Sequence, residues 1–96
     1  MFVVTVTFEI EPIHFLSFVE ALKPHALTSL NSEQHLLQFD VSISGNSREV
    51  FIYEVYTSVE GYDLHLSSPH FDEFARETNP WVLNKIVNTY TQVRLS

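Results

Sequence analysis

Between Val50 and Phe74 the chain concentrates its reactive side chains: Tyr53, Glu54, Tyr56, Tyr62, His65 and His70. An imidazole with an ordinary pKa near 6.5 gains and loses a proton at cellular pH, so His65 has the chemistry of a general base. Glu54 stands in the middle of the apolar run VFIYEVY. A carboxylate there is costly to bury without a histidine, a hydroxyl or a cation beside it. Two readings of it stay open. It orients His65 or His25 as a carboxylate orients a base, or it makes an internal bond that helps specify the fold. Tyr56 shares strand parity with Glu54, and Tyr53 has the opposite parity. A phenol can hydrogen-bond a substrate oxygen, although most strand tyrosines simply pack with a wet hydroxyl. His70, after Pro69, reads as a positioning residue more than a proton carrier. His25 follows Pro24, where a helix kink can turn a side chain into a cavity. The plainer reading of His25 is an exposed helix residue. Asp40 lies on the polar parity of its strand, the parity of edge or exposed residues.

Other chemistries find little support. His65 and His70 are five positions apart, and no HxxxH or HExxH spacing exists, so no metal site is expected. The two glycines, Gly45 and Gly61, cannot make a phosphate-cradling loop, and no GxSxG anchors a serine nucleophile. The absence of cysteine excludes disulfides and thiol chemistry and fits a reducing cytoplasm, the expected location. With 12 acidic against 5 basic residues the formal charge is −7, which disfavours nucleic acid and anionic membranes as partners. No apolar run reaches membrane-spanning length, and the N-terminal segment reads as a strand, not a signal peptide.

The elements that must carry these groups follow from periodicity. Phe2 to Glu9 is β-branched and aromatic, with polar residues on one parity only, so it is a strand. Pro12 can open a helix whose apolar stripe is Phe15, Phe18, Val19, Leu22 and Ala26. Pro24 should kink this helix, with Ala26, Leu27 and Leu30 continuing the apolar face. Leu37, Phe39, Val41 and Ile43 alternate with polar residues, and the Ser44–Ser47 turn leads into a central strand over Val50–Tyr56. A short helix follows Ser58, and a second begins at Ser67 or Ser68 with Pro69 in its first turn. Asn79-Pro80 ends it, and Lys85 to Leu95 reads as the last strand. The order β-α-β-β-α-β is the ferredoxin-like α+β pattern in one 96-residue domain. A chain this short buries only ~60–70% of its unfolded surface. Its apolar load exceeds what the helical face of the sheet can cover, and a homodimer with sheet against sheet is the simplest cover.

FDV at Phe39–Val41, YEVY at Tyr53–Tyr56 and HLSSPHF at His65–Phe71 resemble the antibiotic biosynthesis monooxygenase family. That family includes quinol monooxygenases and an isomerase of phosphorylated autoinducer breakdown. The resemblance runs from the first strand to about Phe74. It implies a dimeric α/β barrel with a pocket between sheet and helices in each subunit. It also implies oxygenation without flavin, haem or metal, the deprotonated substrate passing an electron to O2 directly. On that reading no cofactor is required, and the partners are a small-molecule substrate, O2 and a second copy of the chain. His65, Glu54 and Tyr56 would be catalytic, and His25, Asp40, Tyr53 and His70 would contact the substrate. The sequence departs from its relatives in the loop NSEQHLLQ and at Gly61, where they often carry alanine. That glycine should soften its helix by about 1 kcal/mol. The expected activity is oxygenation of a small hydroxylated aromatic or quinol. The alternatives are isomerisation of a phosphorylated hydroxyketone and a non-enzymatic dimeric ligand-binding module.

Overall fold

The computed structural model describes residues 1–95. It contains β1 (Phe2–Ile10), a 3-10 turn (Pro12–His14), α1 (Phe15–Ser32), β2 (Leu36–Ile43) and β3 (Glu49–Tyr56). Then come α2 (Val59–Leu66), α3 (Pro69–Thr78), a second 3-10 turn (Asn79–Trp81) and β4 (Val82–Thr91). The strands form one antiparallel sheet in the order β2-β3-β1-β4, the ferredoxin-like arrangement.

Strand alternation fixes what each face carries. Val4, Val6 and Phe8 pair with Glu54, Ile52 and Val50 of β3, and this side meets the helices. The core joins Val4, Val6, Phe8, Ile10, Ile52 and Tyr56 to Phe15, Phe18, Leu22 and Phe74 of the helices. On the opposite face Thr5 and Thr7 pair with Tyr53 and Phe51, and Phe51, Tyr53, Ile86 and Tyr90 are exposed there. Among the described residues no helix is long and apolar enough to cross a membrane.

The helix α1 continues for 18 residues through Pro24, which lies on the exposed side, where the carbonyl it deprives of a donor can meet water. Other sequence expectations need correction. The buried stripe ends in His25 and Ser29, not Leu27 and Leu30, which are exposed. Next, β2 does not alternate throughout. A bulge between Leu36 and Gln38 leaves Leu37 exposed and puts Leu36 in the core with Phe39. Last, β4 starts at Val82 and ends at Thr91, because β1 offers partners only from Ile10 back to Phe2. The start of α3 agrees with expectation: Ser68 is its N-cap, its hydroxyl accepting from the Phe71 amide, with Pro69 in the first turn.

Gly61 is required by a close approach and is not merely a weak helix former. A Cβ on it would sit 2.6 Å from His35 Cβ and 3.4 Å from Tyr56 Cδ1. His35 cannot yield easily, because its carbonyl accepts from the Thr57 amide at 2.9 Å and its Nδ1 meets Thr57 Oγ1 at 3.1 Å. Gly61→Ala should therefore destabilise the protein by about 1–3 kcal/mol despite the better helix propensity. Thermal denaturation checks this; a stabilised variant would contradict the packing.

Candidate active site

The three helices bring their functional side chains to one place above the sheet. Glu33 is the residue at which α1 ends. Its carboxylate accepts from His65 Nδ1 of α2 at 2.8 Å and from His70 Nε2 of α3 at 2.6 Å. His65 is almost wholly buried, and the other two are mostly so. The bond at Nδ1 fixes the ring and leaves Nε2 without a hydrogen-bond partner among the described residues. His70 is steadied further by the Ser68 hydroxyl at 3.2 Å.

His25 completes a group of three imidazoles. Its ring stacks on Phe74 at 4.6 Å and lies 5.4 Å from the His65 ring and 5.6 Å from the His70 ring, centroid to centroid. Burial, then the His65 and His70 imidazoles beside it, hold its pKa down to about 4. His25 is thus a neutral ring at ordinary pH. Its Nδ1 is buried and has no hydrogen-bond partner among the described residues.

Below these rings lies a cavity of about 50 Å³. Phe8, Phe39, Ile52, Phe71 and Phe74 make it apolar, and His25, Glu54, Tyr62, His65 and Lys85 place polar groups in it. Glu54 is 4% exposed and its bond is not to a histidine. The Tyr56 hydroxyl donates to its Oε1 at 2.5 Å. Two residues apart on one strand, the pair shares the helix-facing side, so the phenol folds back over the acid. Burial raises the Glu54 carboxyl above the usual carboxylate range, against the opposing pull of the Tyr56 hydrogen bond, His65 and Lys85. Burial and the Glu54 charge likewise push the Tyr56 phenol well up, so it stays a donor. Lys85 reaches in from β4 with its Nζ 5.4 Å from the Phe8 ring centre and 5.7 Å from that of Phe71.

The structure thus brings His25, His65, His70 and Glu54 together and leaves three predicted residues out. Tyr56 is fully buried behind Glu54 and does not line the cavity. Tyr53 and Asp40, paired across β3 and β2, lie on the opposite face of the sheet, where Asp40 accepts from the Gln38 amide. The expected role of Glu54 as orienter of His65 or His25 falls to Glu33. That residue sits 32 positions before His65, in the loop where the sequence departs from its relatives, and no local spacing signals it. Lys85 and Tyr62 were also missed as cavity residues. Lys85 was legible only once β4 was in register with Phe8.

The site is an imidazole-lined apolar cavity held between a ferredoxin-like sheet and its helices. The model of the antibiotic biosynthesis monooxygenase family matches residues 1–77, and the chain belongs to that family. Among solved structures, a "putative monooxygenase" from Lactobacillus acidophilus NCFM is 27% identical with a TM-score of 0.87. The match covers 92% of this chain but 42% of that one, so this chain spans about two fifths of that protein. A "putative antibiotic biosynthesis monooxygenase" from Nitrosomonas europaea is 19% identical over 98% of this chain and 100% of its own, with a TM-score of 0.92. A conserved protein from Methanosarcina mazei Go1 is 16% identical over 96% of this chain and 92% of its own, with a TM-score of 0.87. The last two establish likeness of fold. Comparison with curated proteins returns no match.

Because the folded chain holds the Glu54 proton more tightly than the unfolded chain does, Glu54 stabilises the fold below the ordinary carboxyl pKa. That stability is lost as pH rises through the raised value. Glu54→Gln keeps an acceptor for Tyr56 and has no proton to lose. Relative to the parent, this variant should gain stability between about pH 4 and pH 8, by about 1.4 kcal/mol for each tenfold tightening of the proton. Urea denaturation at the two pH values measures it; a pH-independent difference would mean Glu54 stays charged.

Proposed function

We infer that this protein is a cofactor-independent monooxygenase of a small hydroxylated aromatic or quinol. The observation that carries this reading is the Glu33–His65 pair: a carboxylate holds Nδ1, and the opposite nitrogen belongs to a ring lining an apolar cavity. A base so fixed accepts a proton at Nε2 and keeps one orientation while doing so. A phenol or quinol hydroxyl is the natural donor. The anion it becomes is met by the Lys85 ammonium, which forms no ion pair among the described residues. In an apolar enclosure one such charge stabilises a developing oxyanion strongly. The hydrogen-bonded Glu54 supports the same oxyanion best in its protonated form, as a donor.

Oxygen then takes electrons from this anion. A CH2 carbon of the keto tautomer becomes C=O, one oxygen atom enters the substrate and the other leaves as water. The substrate supplies all four electrons. A cavity of about 50 Å³ compares with roughly 10–15 Å³ for one water by the same measure, which favours a single small ring over a polycycle. The isomerase alternative calls for cations around a phosphate, and Lys85 is the one lysine or arginine in the lining.

The second copy expected from the sequence is proposed to cover the outer sheet face. Phe51 is 41% exposed, Ile86 50% and Tyr90 52%, a flat apolar surface that a twofold partner would bury. Sedimentation should give a dimer, and the double variant Phe51→Lys with Ile86→Lys should sediment as a monomer; an unchanged dimer would place the interface elsewhere.

Oxygen consumption with a panel of single-ring quinols tests the activity. His65→Ala should lower the rate by about 10²–10⁴-fold. Glu33→Gln should lower it by about 10–10²-fold, since it keeps the acceptor but loosens it. Circular dichroism must show the fold retained. Turnover of a phosphorylated hydroxyketone without oxygen uptake would replace this reading by the isomerase.

A further inference from the structure

The carboxylate that joins His65 and His70 has a second chemical capacity. Its Oε2 lies 2.8 Å from His65 Nδ1 and 2.6 Å from His70 Nε2, and the three atoms all lie within 4.8 Å of one another. A tetrahedral zinc with Zn–N bonds of ~2.0–2.1 Å sets its ligand atoms ~3.3 Å apart. The two contacts to Glu33 Oε2, at 2.8 and 2.6 Å, are shorter than that figure by well under one ångström, so small side-chain movements suffice. Two imidazoles and one carboxylate with a further position open is a ligand set for zinc or for ferrous iron. The set is mostly shielded from water, His65 being 3% exposed and Glu33 12%. An independent observation points the same way. His25, 7% exposed, packs against both histidine rings with a buried Nδ1 that no described residue satisfies. An unsatisfied buried nitrogen packed against the two ligand rings calls for a polar partner that the described side chains do not supply.

We propose that Glu33, His65 and His70 bind a divalent first-row transition metal ion, with zinc as the reference ion and His25 as the neighbouring third imidazole, outside the ligand set. The three ligands come one from each helix: the end of α1, the last turn of α2 and the first turn of α3. Metal binding displaces the Nδ1 proton of His65. The neutral ring then carries its proton on Nε2, so it donates there and no longer accepts. Resting on the proposed monooxygenase reading, metal binding therefore switches off the base, and the ion acts as a reversible inhibitor.

The test uses the full chain, stripped with a chelator, titrated with cobalt(II) and then with zinc. Calorimetry and the visible d–d absorption of cobalt read binding directly, whatever the enzymatic activity. One ion per chain should bind, and zinc should displace cobalt. His70→Ala and Glu33→Gln should each weaken binding by more than the roughly 10–100-fold that outer-shell changes cost. His14→Ala, whose ring lies apart from the cluster against Trp81, should leave it unchanged. Circular dichroism and metal-free melting establish that each variant folds. Absence of stoichiometric binding, or binding that survives both Glu33→Gln and His70→Ala, overturns the proposal. Oxygen uptake should fall on metal addition and recover with chelator. Binding with uptake unchanged keeps the metal site and removes His65 from the base role.

Discussion

One carboxylate ties the helical layer together. Glu33 stands at the negative end of the α1 dipole, a position that electrostatically disfavours an acid. Nothing on α1 offsets this, since its last turn carries no basic residue. The compensation comes from outside the helix, as bonds from His65 and His70. His65 lies in the last turn of α2, where a positive ring is favoured, and His70 in the first turn of α3, where it is not. The arrangement therefore places α1, α2 and α3 around one acceptor at some electrostatic cost. Such costs are tolerated where they set up chemistry.

The second polar feature is deeper and differently built. Glu54 and Tyr56 are adjacent inward positions of a central strand, so their contact needs no help from the helices. The bond offsets part of the cost of placing an acid in the core, and burial still outweighs it. Glu54 still faces the cavity on its other side, across from Lys85. The site thus has an imidazole roof carried by helices and a carboxyl-ammonium floor carried by strands, with phenylalanines between them.

How much of this was legible depended on the range of the interaction. Strand and helix identity came from local periodicity, and the βαββαβ order followed. Glu54 and His65 were visible because each broke an apolar pattern. Glu33 broke none: it sits in a polar loop and acquires meaning only across 32 and 37 residues. Lys85 marked only the start of the last strand, and the β1–β4 register is what sets it beside Phe8. For Tyr53 the family resemblance and the strand parity pointed different ways, and the structure follows the parity: Tyr53 and Glu54 lie on opposite faces. The bulge at Leu37 shows the same limit, since an inserted strand residue is invisible to a pattern that assumes regular alternation.

The span of the Glu33 contacts also says when the site comes into being. Loop-closure entropy has to be overcome before distant partners can reward it, so contacts between residue 33 and residues 65 and 70 form only when α1, α2 and α3 dock together. A chain with its hairpin formed but its helices undocked already holds Glu54 against Tyr56, yet owns no oriented imidazole. The oriented imidazoles are thereby a property of the docked helices and not of the hairpin alone.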